Sequence, residues 1–545
     1  MSGTRFVGGL CGWNYEGTIT SCYATVAVSG TYYVGGLCGL NYGTITSCYA
    51  TGAVSGDWNV GGLCGENSYG AITSCYATGA VSGDWNVGGL CGRNYYGTIS
   101  SSFWDTDTSG LTTSAGGTGK TTAQMMDINT FLNAGWDFAV TDYTPAVWYM
   151  PEGDYPGLTC QLSVEVADVT GLPLSEAAAQ LIQTWPGLNV VLSVEASDTI
   201  AEGHVIRQTP SPGSLLPGNS IVSVVIAGKP LGYAGSGVPE APYQIDTPSD
   251  WLWLIQTPSD WSKRFVLTAD LDFGGGTITP VAPDTDPSTS GFQGTAFTGV
   301  LDGGGHVLRN FVINQPVGNY VGLFGQVGSE GQIMNLGADP LQVTGRYYYV
   351  GGLCGWNSGT ITSCYATGAV SGTELVGGLC GRNSGTITSC YATGAVSGFS
   401  SVGGLCGRNY HGTITSCYAT GAVSGTDFVG GLCGHNTSGT ITSCYATGAV
   451  RGTDFVGGLC GGNSYTITSC YATGAVSGTS GVGGLCGENS YNGTITSCYA
   501  TGAVSGTSGV GGLCGENSYN GTITSCYATG AVSGTDYVGG LCGYN

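Results

Sequence analysis

The sequence predicts a mainly β protein in which two parallel β-helix (solenoid) segments are separated by a short helical cap and a small α+β domain. The phrase Val-Gly-Gly-Leu-Cys-Gly-x-Asn, followed by Gly-Thr-Ile-Thr-Ser-Cys-Tyr-Ala-Thr-Gly-Ala-Val-Ser-Gly, recurs more than eleven times, about every 26 to 28 residues. A unit of this length cannot bury its own apolar residues, so successive copies must stack on one another. Insertions fall only between the Asn and the next Gly-Thr-Ile, which indicates a solvent-facing turn between strands of constant length.

The composition favours ordered β structure with tight turns over disorder. Of 545 residues, 101 are Gly and 8% are charged, but 41% are hydrophobic and recur in register. The net charge of -22, with 12 Lys and Arg in total, excludes nucleic acid as a partner and disfavours an anionic membrane surface. No apolar run is long enough to span a bilayer, and the first residues lack the features of a signal peptide. Because the chain opens and closes inside a repeat, we expect a fragment of a longer protein.

Changes in periodicity divide the chain into six segments. The repeats stop after residue 102 and return, first in irregular form, after a different domain and a stretch of small residues. The predicted segments are a four-rung solenoid at 1–102, a cap and connection with a short helix at 103–160, an α+β domain at 161–229, a linker at 230–242, divergent first turns of a second solenoid at 243–349, and eight further phrases, the last truncated, at 350–545.

Within one copy, the pattern predicts which side chains face the core. Strict alternation from Ile45 would turn Tyr49 inward and Cys48 outward, and a buried Tyr hydroxyl in every rung would need a partner. We therefore predict a bend after Thr46, with Cys48 and Ala50 inside and Tyr49 outside. The same register places the equivalent Tyr of the second solenoid in one external column, which is a candidate glycan-contact ladder: Tyr365, Tyr391, Tyr418, Tyr445 and Tyr471.

The Asn of each copy is predicted to form a structural ladder, in which each amide bonds to its counterpart on the neighbouring rungs. A binding role for these residues is the weaker interpretation. The ladder of the second solenoid contains Asn357, Asn383, Asn409 and Asn436.

The 23 Cys fit two interpretations that the sequence leaves open. Most copies carry one Cys in each of two phrases, as Cys38 and Cys48 do, and the remainder include Cys91 and Cys160. They form either free-thiol core ladders or disulfides within or between rungs. Ser102 stands where a Cys is expected after Cys91, so pairing within a rung is not obligatory. No zinc-type Cys pair is present, and we expect no metal.

The cap segment contains apolar residues at helical spacing. Met125, Ile128, Phe131 and Leu132 predict a short amphipathic helix, which with Trp136 would cover the open end of the first solenoid. The nearby run 116–121 is similar to a phosphate-binding loop, but it lacks the leading strand and the first Gly. We therefore expect no bound nucleotide and no other cofactor.

The segment 161–229 is predicted to contain one helix, beginning at Ser175, and three strands at 190–195, 205–210 and 221–226. Its turns at 208–213 and 216–220 resemble those of a PASTA domain, a module found in the extracellular part of penicillin-binding proteins and bacterial serine/threonine kinases. The resemblance implies contact with cell-wall peptidoglycan, and a role as a plain spacer is the alternative.

The repeat phrase resembles the GLUG motif of bacterial surface proteins, and 321–325 is a looser copy of it. The resemblance implies right-handed β-helices on secreted or cell-wall proteins, among them adhesins and some IgA-cleaving metallopeptidases. The peptidase activity needs a His-Glu-x-x-His helix, and none of the four His lies in one. They are His204, His306, His411 and His435.

We therefore expect a non-enzymatic, extracellular or cell-surface bacterial repeat protein that acts as a scaffold or adhesin. Its partners would be peptidoglycan or a surface glycan, contacted weakly at many rungs. The alternative is a carbohydrate-active lyase or hydrolase with its site in the divergent turns 270–339, which contain Asp270, Asp272 and Asp302. We assign no catalytic residue, because these carboxylates more simply serve strand ends and Gly turns.

Overall fold

A computed structural model describes residues 1–138, 147–151, 153–158, 163–184, 188–217, 220–229, 233–340 and 342–545. The described chain forms two compact units, each mainly β. Cys160, the turn residues 218 and 219, and the first residues of the predicted linker, 230–232, lie outside the described residues. Among the described residues, no helix has both the length and the apolar character needed to cross a bilayer.

The first solenoid is confirmed as stacked copies that pair in parallel and in register. Val34 pairs with Val60, Cys38 with Cys64, and Ile45 with Ile72. Four columns of strands result: Ser2–Gly8, Val28–Gly35, Val54–Gly61 and Val81–Gly88; Cys11–Asn14, Cys38–Asn41, Cys64–Ser68 and Cys91–Tyr95; Thr18–Thr20, Thr44–Thr46, Ala71–Thr73 and Thr98–Ser100; Tyr23–Ala24, Tyr49–Ala50, Tyr76–Ala77 and Phe103–Asp105.

The predicted bend lies at Ser47, whose φ is 53°. Because one residue in the left-handed region reverses the alternation, Ile45, Cys48 and Ala50 all have 0% exposure, and Tyr49 leaves the solenoid core. The orientation predicted from the cost of a buried hydroxyl is therefore confirmed.

The cap segment contains three short helices, Thr106–Ser109, Thr122–Met125 and Ile128–Leu132. The single helix predicted there is interrupted because the Asp127 carboxylate accepts the Asn129 N–H at 3.0 Å and starts a new helix. The strand Thr118–Lys120 adds to Phe103–Asp105 at the end of the solenoid, and Trp148–Tyr149 pairs antiparallel with Gly157–Leu158.

The α+β domain has one helix and a three-stranded sheet. The helix Leu174–Thr184 begins one residue before the predicted cap, Ser175. The central strand Ile221–Gly228 runs parallel to Asn189–Ala196 and antiparallel to Val205–Thr209. A separate antiparallel pair joins Ser163–Glu165 to Leu215–Pro217.

The sheet of this domain continues into the second solenoid through Thr277. Thr277 N donates to Val190 O at 2.6 Å, Leu192 N donates to Thr277 O at 3.0 Å, and Ile278 N donates to Val312 O at 2.9 Å. A helix that sequence patterning did not predict, Pro248–Gln256, packs beside this sheet with Trp251 fully buried. The α+β domain therefore covers the first turns of the second solenoid.

The divergent turns lead directly into the regular copies. Their strands are Tyr243–Ile245, Arg264–Leu267, Leu271–Asp272, Val300–Asp302, Val307–Arg309, Val312–Gln315, Phe324–Val327, Gln332–Met334, Gly337–Asp339 and Gln342–Gly345, with a 3-10 turn at Pro258–Asp260. Each regular copy has five strands, as in Glu374–Gly377, Cys380–Asn383, Thr386–Thr388, Tyr391–Ala392 and Val396–Ser397, and the pattern repeats as far as Cys542–Tyr544.

Candidate functional site

The Cys of the Ser-Cys-Tyr phrase form a hydrogen-bonded column in the core. Cys417 Sγ lies 3.1 Å from Thr415 O, to which it donates, and 3.4 Å from Cys390 N, from which it accepts. The described cysteines of the second solenoid are free thiols. The free-thiol interpretation is therefore the one that the structure supports.

Ser102 shows what each thiol in this column does. It stands at the end of the first solenoid's Ser-Cys-Tyr column, where Cys75 N donates to Ser102 Oγ at 3.1 Å and Ser102 Oγ donates to Ser100 O at 2.7 Å. These are the same two bonds that Cys417 makes. The column therefore needs a small side chain that both donates and accepts, and it does not need sulfur chemistry.

The Asn ladder lies in the interior, and its amides are hydrogen-bonded to one another. Asn357, Asn383, Asn409 and Asn436 have 0% exposure. Each Nδ2 donates to the Oδ1 of the next rung at 2.8 to 2.9 Å, from Asn357 as far as Asn463. Such amides satisfy one another and do not reach solvent, which fits a structural role.

The Tyr of the second solenoid form a stacked column on its outer face. From Tyr365 to Tyr527, neighbouring ring centroids lie 4.8 to 5.1 Å apart and the ring planes differ by 2° to 6°. Tyr365 to Tyr499 are half-buried, and Tyr527 is 53% exposed. Because each ring face is covered by the next ring, a sugar cannot stack on the faces along the ladder. The ladder offers ring edges and phenol hydroxyls instead.

The equivalent Tyr column of the first solenoid is covered by the cap. Tyr23 is 43% exposed, whereas Tyr49 and Tyr76 are 6% and 2% exposed. Trp148 lies 6.3 and 5.9 Å from the rings of Tyr49 and Tyr76, and Tyr76 Oη donates to Pro156 O at 2.6 Å. The cap therefore packs on the side of the first solenoid as well as on its end, and a Tyr column of this kind can accept a partner through its edges and hydroxyls.

The carboxylates of the divergent turns accept hydrogen bonds from their own turn or from the next one. Asp270 accepts the Val307 N–H at 3.1 Å, and it also contacts Arg309 and His306; these donors lower its pKa, with the backbone bond as the largest cause. Asp272 accepts from Gly274 N at 2.9 Å, and Asp302 accepts from Gly304 N at 2.9 Å. Asp272 and Asp302 therefore form Gly turns, whereas Asp270 joins its turn to the next one.

A charged cluster that sequence patterning missed lies beside the helix Pro248–Gln256. Lys229 Nζ is 3.4 Å from Glu202, 3.0 Å from Asp246 and 3.5 Å from Asp250. Burial raises the pKa of Asp250 to about 6, and Asp250 also closes the capping box of the helix. Three carboxylates of this kind could hold a metal ion, but the Lys229 ammonium already lies among them.

Comparison with known protein families finds two matches. The model described as the GLUG motif matches nine times, at 6–29, 30–55, 56–82, 346–371, 372–397, 400–424, 429–451, 478–505 and 506–533. The model described as the PASTA domain matches 164–228.

Two curated relatives are similar to part of the chain. Halomucin of Haloquadratum walsbyi is 32% identical over 153 residues, which are 26% of this chain and 2% of halomucin. A "Putative Gly-rich membrane protein" of Evansella cellulosilytica is 38% identical over 129 residues, which are 23% of this chain and 14% of that protein. The matched region is thus a small part of each relative.

One solved structure also matches, a putative immunoglobulin A1 protease from Bacteroides ovatus. It is 21% identical, with a TM-score of 0.30, and the match covers 55% of this chain and 79% of that chain.

Proposed function

For this GLUG-motif repeat protein with one PASTA domain, we propose a role as a non-enzymatic extracellular scaffold or adhesin on a bacterial surface. The observation that carries the proposal is the unbroken register of the second solenoid, where one Tyr face recurs from Tyr365 to Tyr527 without an intervening loop. A surface of equal rungs suits many weak, equivalent contacts better than one reaction centre. The relatives, named as halomucin and a membrane protein, agree with a surface location.

The contact face in this proposal is the Tyr ladder, and the partner is a surface glycan. Phenol hydroxyls at a spacing of about one strand can bond to sugar hydroxyls along an extended chain. The covered Tyr column of the first solenoid supports the choice of face, since there the Tyr76 hydroxyl bonds to a packed segment.

The test is binding to a glycan array by the full chain and by a variant that combines Tyr418→Phe, Tyr445→Phe and Tyr471→Phe. Losing three hydroxyls while keeping the rings should weaken binding by about tenfold or more, because the contributions of linked contacts to the overall affinity multiply. The matched control replaces the exposed, stacked pair Tyr491 and Tyr519 by Phe, which should leave binding unchanged. Equal binding by the ladder variant and the parent chain would refute the contact face.

The PASTA domain is the proposed cell-wall contact, and the alternative is that it only covers the second solenoid. Its sheet joins the solenoid through Thr277, so covering is a role that it can fill without a ligand. Co-sedimentation of the chain with insoluble peptidoglycan distinguishes the two. Recovery of the chain in the pellet supports the contact, and its absence leaves the covering role.

The enzyme alternative, with its site at 270–339, has less support because Asp272 and Asp302 are bonded within their own turns, and Asp270 is bonded to Val307 N and to the side chains of His306 and Arg309 on the next turn. Incubation with a panel of acidic polysaccharides tests it. Release of reducing sugar would replace the scaffold proposal.

A further inference from the structure

The variable position between the Gly and the Asn of Gly-Leu-Cys-Gly-x-Asn forms a column along each solenoid. In the first solenoid this column pairs Glu66 in register with Arg93. The Arg93 guanidinium carbon lies 5.0 Å from the centroid of the Tyr95 ring, and Arg93 Nη1 lies 3.4 Å from Glu66 Oε2. An Arg at this position therefore stacks on the Tyr that follows the Asn of its copy, and it pairs with a carboxylate in the neighbouring rung.

In the second solenoid, two arginines occupy this column in consecutive rungs. Arg382 pairs in register with Arg408, so an Arg stands where the first solenoid has Glu66. Both arginines are half-buried, and within the described part of the chain neither forms an ion pair with a carboxylate. The whole chain has a net charge of -22 and 12 Lys and Arg, so two adjacent cations without an acidic partner contrast with its composition.

Aromatic rings hold the two guanidinium groups in place. The Arg382 guanidinium carbon lies 4.6 Å from the centroid of the Trp356 ring and 4.5 Å from that of Tyr410. The Arg408 guanidinium carbon lies 5.2 Å from the same Tyr410 ring. Stacking on a ring occupies a face of the guanidinium and leaves the N–H groups in its plane free to donate. The two cations are therefore oriented by rings and not by counterions.

These guanidinium groups have donors without a partner. Arg382 Nε is buried and has no hydrogen-bond partner, whereas Arg408 Nε donates to Thr437 Oγ1 at 3.3 Å. Burial and the neighbouring Arg382 lower the pKa of Arg408, although an Arg remains charged at pH 7. A buried donor without an acceptor costs free energy, and so does a half-buried cation beside another cation. An anion that accepts from both groups would remove these costs.

The first solenoid indicates which anion suits a stacked Arg of this column. There the anion is the carboxylate of Glu66. A guanidinium presents parallel N–H groups that match the two oxygens of a carboxylate. Phosphate and inorganic sulfate also accept from such a group, but they carry more negative charge, and the net charge of -22 repels a ligand in proportion to its charge. A carboxylate, with a single charge, is therefore favoured.

We propose that Arg382 and Arg408 bind the carboxylate of an acidic sugar, which takes the place that the Glu66 carboxylate has beside Arg93. The choice of a sugar as the carrier rests on the proposed glycan partner, whereas the carboxylate site itself rests on the two arginines. The arginines lie in a different sheet from the Tyr ladder, so the two contacts can be tested separately.

The test is isothermal titration calorimetry of the full chain, at fixed ionic strength, with sodium glucuronate and with glucose as its uncharged counterpart. Glucuronate should bind with a Kd of about 5 mM or tighter, and glucose at least about tenfold more weakly. Combining Arg382→Gln with Arg408→Gln should weaken glucuronate binding by at least about tenfold. Arg451→Gln removes an exposed cation outside this column and should change it by less than about twofold. Equal binding of glucose and glucuronate, or unchanged binding in the double Gln variant, would overturn the proposal.

A second variant keeps both positive charges and removes the guanidinium groups. Combining Arg382→Lys with Arg408→Lys should weaken glucuronate binding by at least about threefold, because an ammonium lacks the planar pair of donors and stacks less well on the rings. Circular dichroism establishes that each variant is folded. Unchanged binding in the folded Lys variant would show that positive charge alone suffices, and it would overturn the assigned role of the stacked guanidinium groups.

Two further probes test the chemical class of the ligand. Inorganic phosphate should bind more weakly than glucuronate, and tighter binding of phosphate would overturn the choice of a carboxylate. A capped Gly-Glu-Gly peptide presents the same carboxylate on a protein backbone. Peptide binding no tighter than that of glucuronate supports the acidic sugar, whereas binding at least about tenfold tighter would overturn it in favour of an acidic protein segment.

The ladder variant distinguishes failure of this proposal from failure of the proposed function. It combines Tyr418→Phe, Tyr445→Phe and Tyr471→Phe, keeps both arginines, and should bind glucuronate with unchanged affinity. A negative glycan array with intact glucuronate binding therefore counts against the Tyr ladder and not against the arginines. A loss of glucuronate binding in the ladder variant would place the acidic sugar on the Tyr ladder and overturn the arginine site.

Discussion

The role of the Ser-Cys-Tyr column can be tested at Cys417, whose side chain is fully buried. Replacing Cys417 by Ala removes the acceptor of the Cys390 N–H, 3.4 Å away, and this N–H would have no water to bond to in the core. An unsatisfied buried donor costs about 1–3 kcal/mol, and the small void left by the sulfur adds about 1 kcal/mol. We therefore expect Cys417→Ala to lower the free energy of unfolding by about 2–4 kcal/mol.

Cys417→Ser is the matched control, because Ser102 makes the same two bonds in the first solenoid. It should cost less than about 1.5 kcal/mol, since donor and acceptor are both kept. Urea unfolding followed by circular dichroism gives the global change. Hydrogen exchange of the peptide that contains Cys390 gives the local change, which matters because a repeat array need not unfold in one step. The reasoning is refuted if Ala is tolerated as well as Ser, or if Ser is the more damaging of the two.

Three further perturbations address other parts of the molecule. Asn436→Ala should lower the free energy of unfolding by about 2–4 kcal/mol, since it leaves the two neighbouring buried amides of the ladder each short of a partner; a loss below about 1 kcal/mol in urea unfolding would contradict this. Because the pKa of Asp250 rises to about 6 on folding from an ordinary value of 3.8, its contribution to stability is complete below pH 3.8 and is lost as pH rises through 6, by up to about 3 kcal/mol. Asp250→Asn should remove that part of the pH dependence, and identical pH profiles of the two chains would exclude it. Trp148→Ala should cost about 3–5 kcal/mol and speed hydrogen exchange in the cap, because this side chain is 1% exposed and covers two tyrosines; unchanged protection of the cap would show that the other aromatics suffice.

The orientation of side chains within a rung could be predicted because it follows from local rules. Strand alternation and the cost of a buried hydroxyl were enough to place Cys48 and Ala50 inside and to locate the bend, which the structure puts at Ser47. The free state of the thiols could not be predicted, because stacked cysteines are close enough to be either free thiols or disulfides. The donors and acceptors around each sulfur, which distinguish the two, are known only from the structure.

Which outer face of each solenoid is covered and which is exposed could not be predicted, because this depends on segments far away in the chain. The Tyr columns of the two solenoids have the same sequence, yet Tyr76 is covered by Trp148. The repeat pattern does not specify where Trp148 lies relative to the column. The stacking of the rings, which leaves only their edges available, likewise follows from the spacing of the rungs and not from the Tyr itself.

The ion pair of the first solenoid illustrates the same division. Glu66 and Arg93 occupy equivalent positions of adjacent copies, so their pairing could have been found by aligning the copies. The further bonds of Glu66, which accepts from Asn59 Nδ2 and Ser68 Oγ, could not be found that way, because they depend on side chains that differ between copies.

By itself, the amino-acid sequence determined the stacked parallel β architecture, the core positions and the two recognised modules, because a repeat imposes the same local environment on every copy. The tertiary structure alone decided that the sheet of the PASTA domain continues through Thr277, that Lys229 occupies its carboxylate cluster, and which Tyr remain accessible. These features depend on contacts between residues that are distant in sequence and do not repeat, so no periodic pattern encodes them.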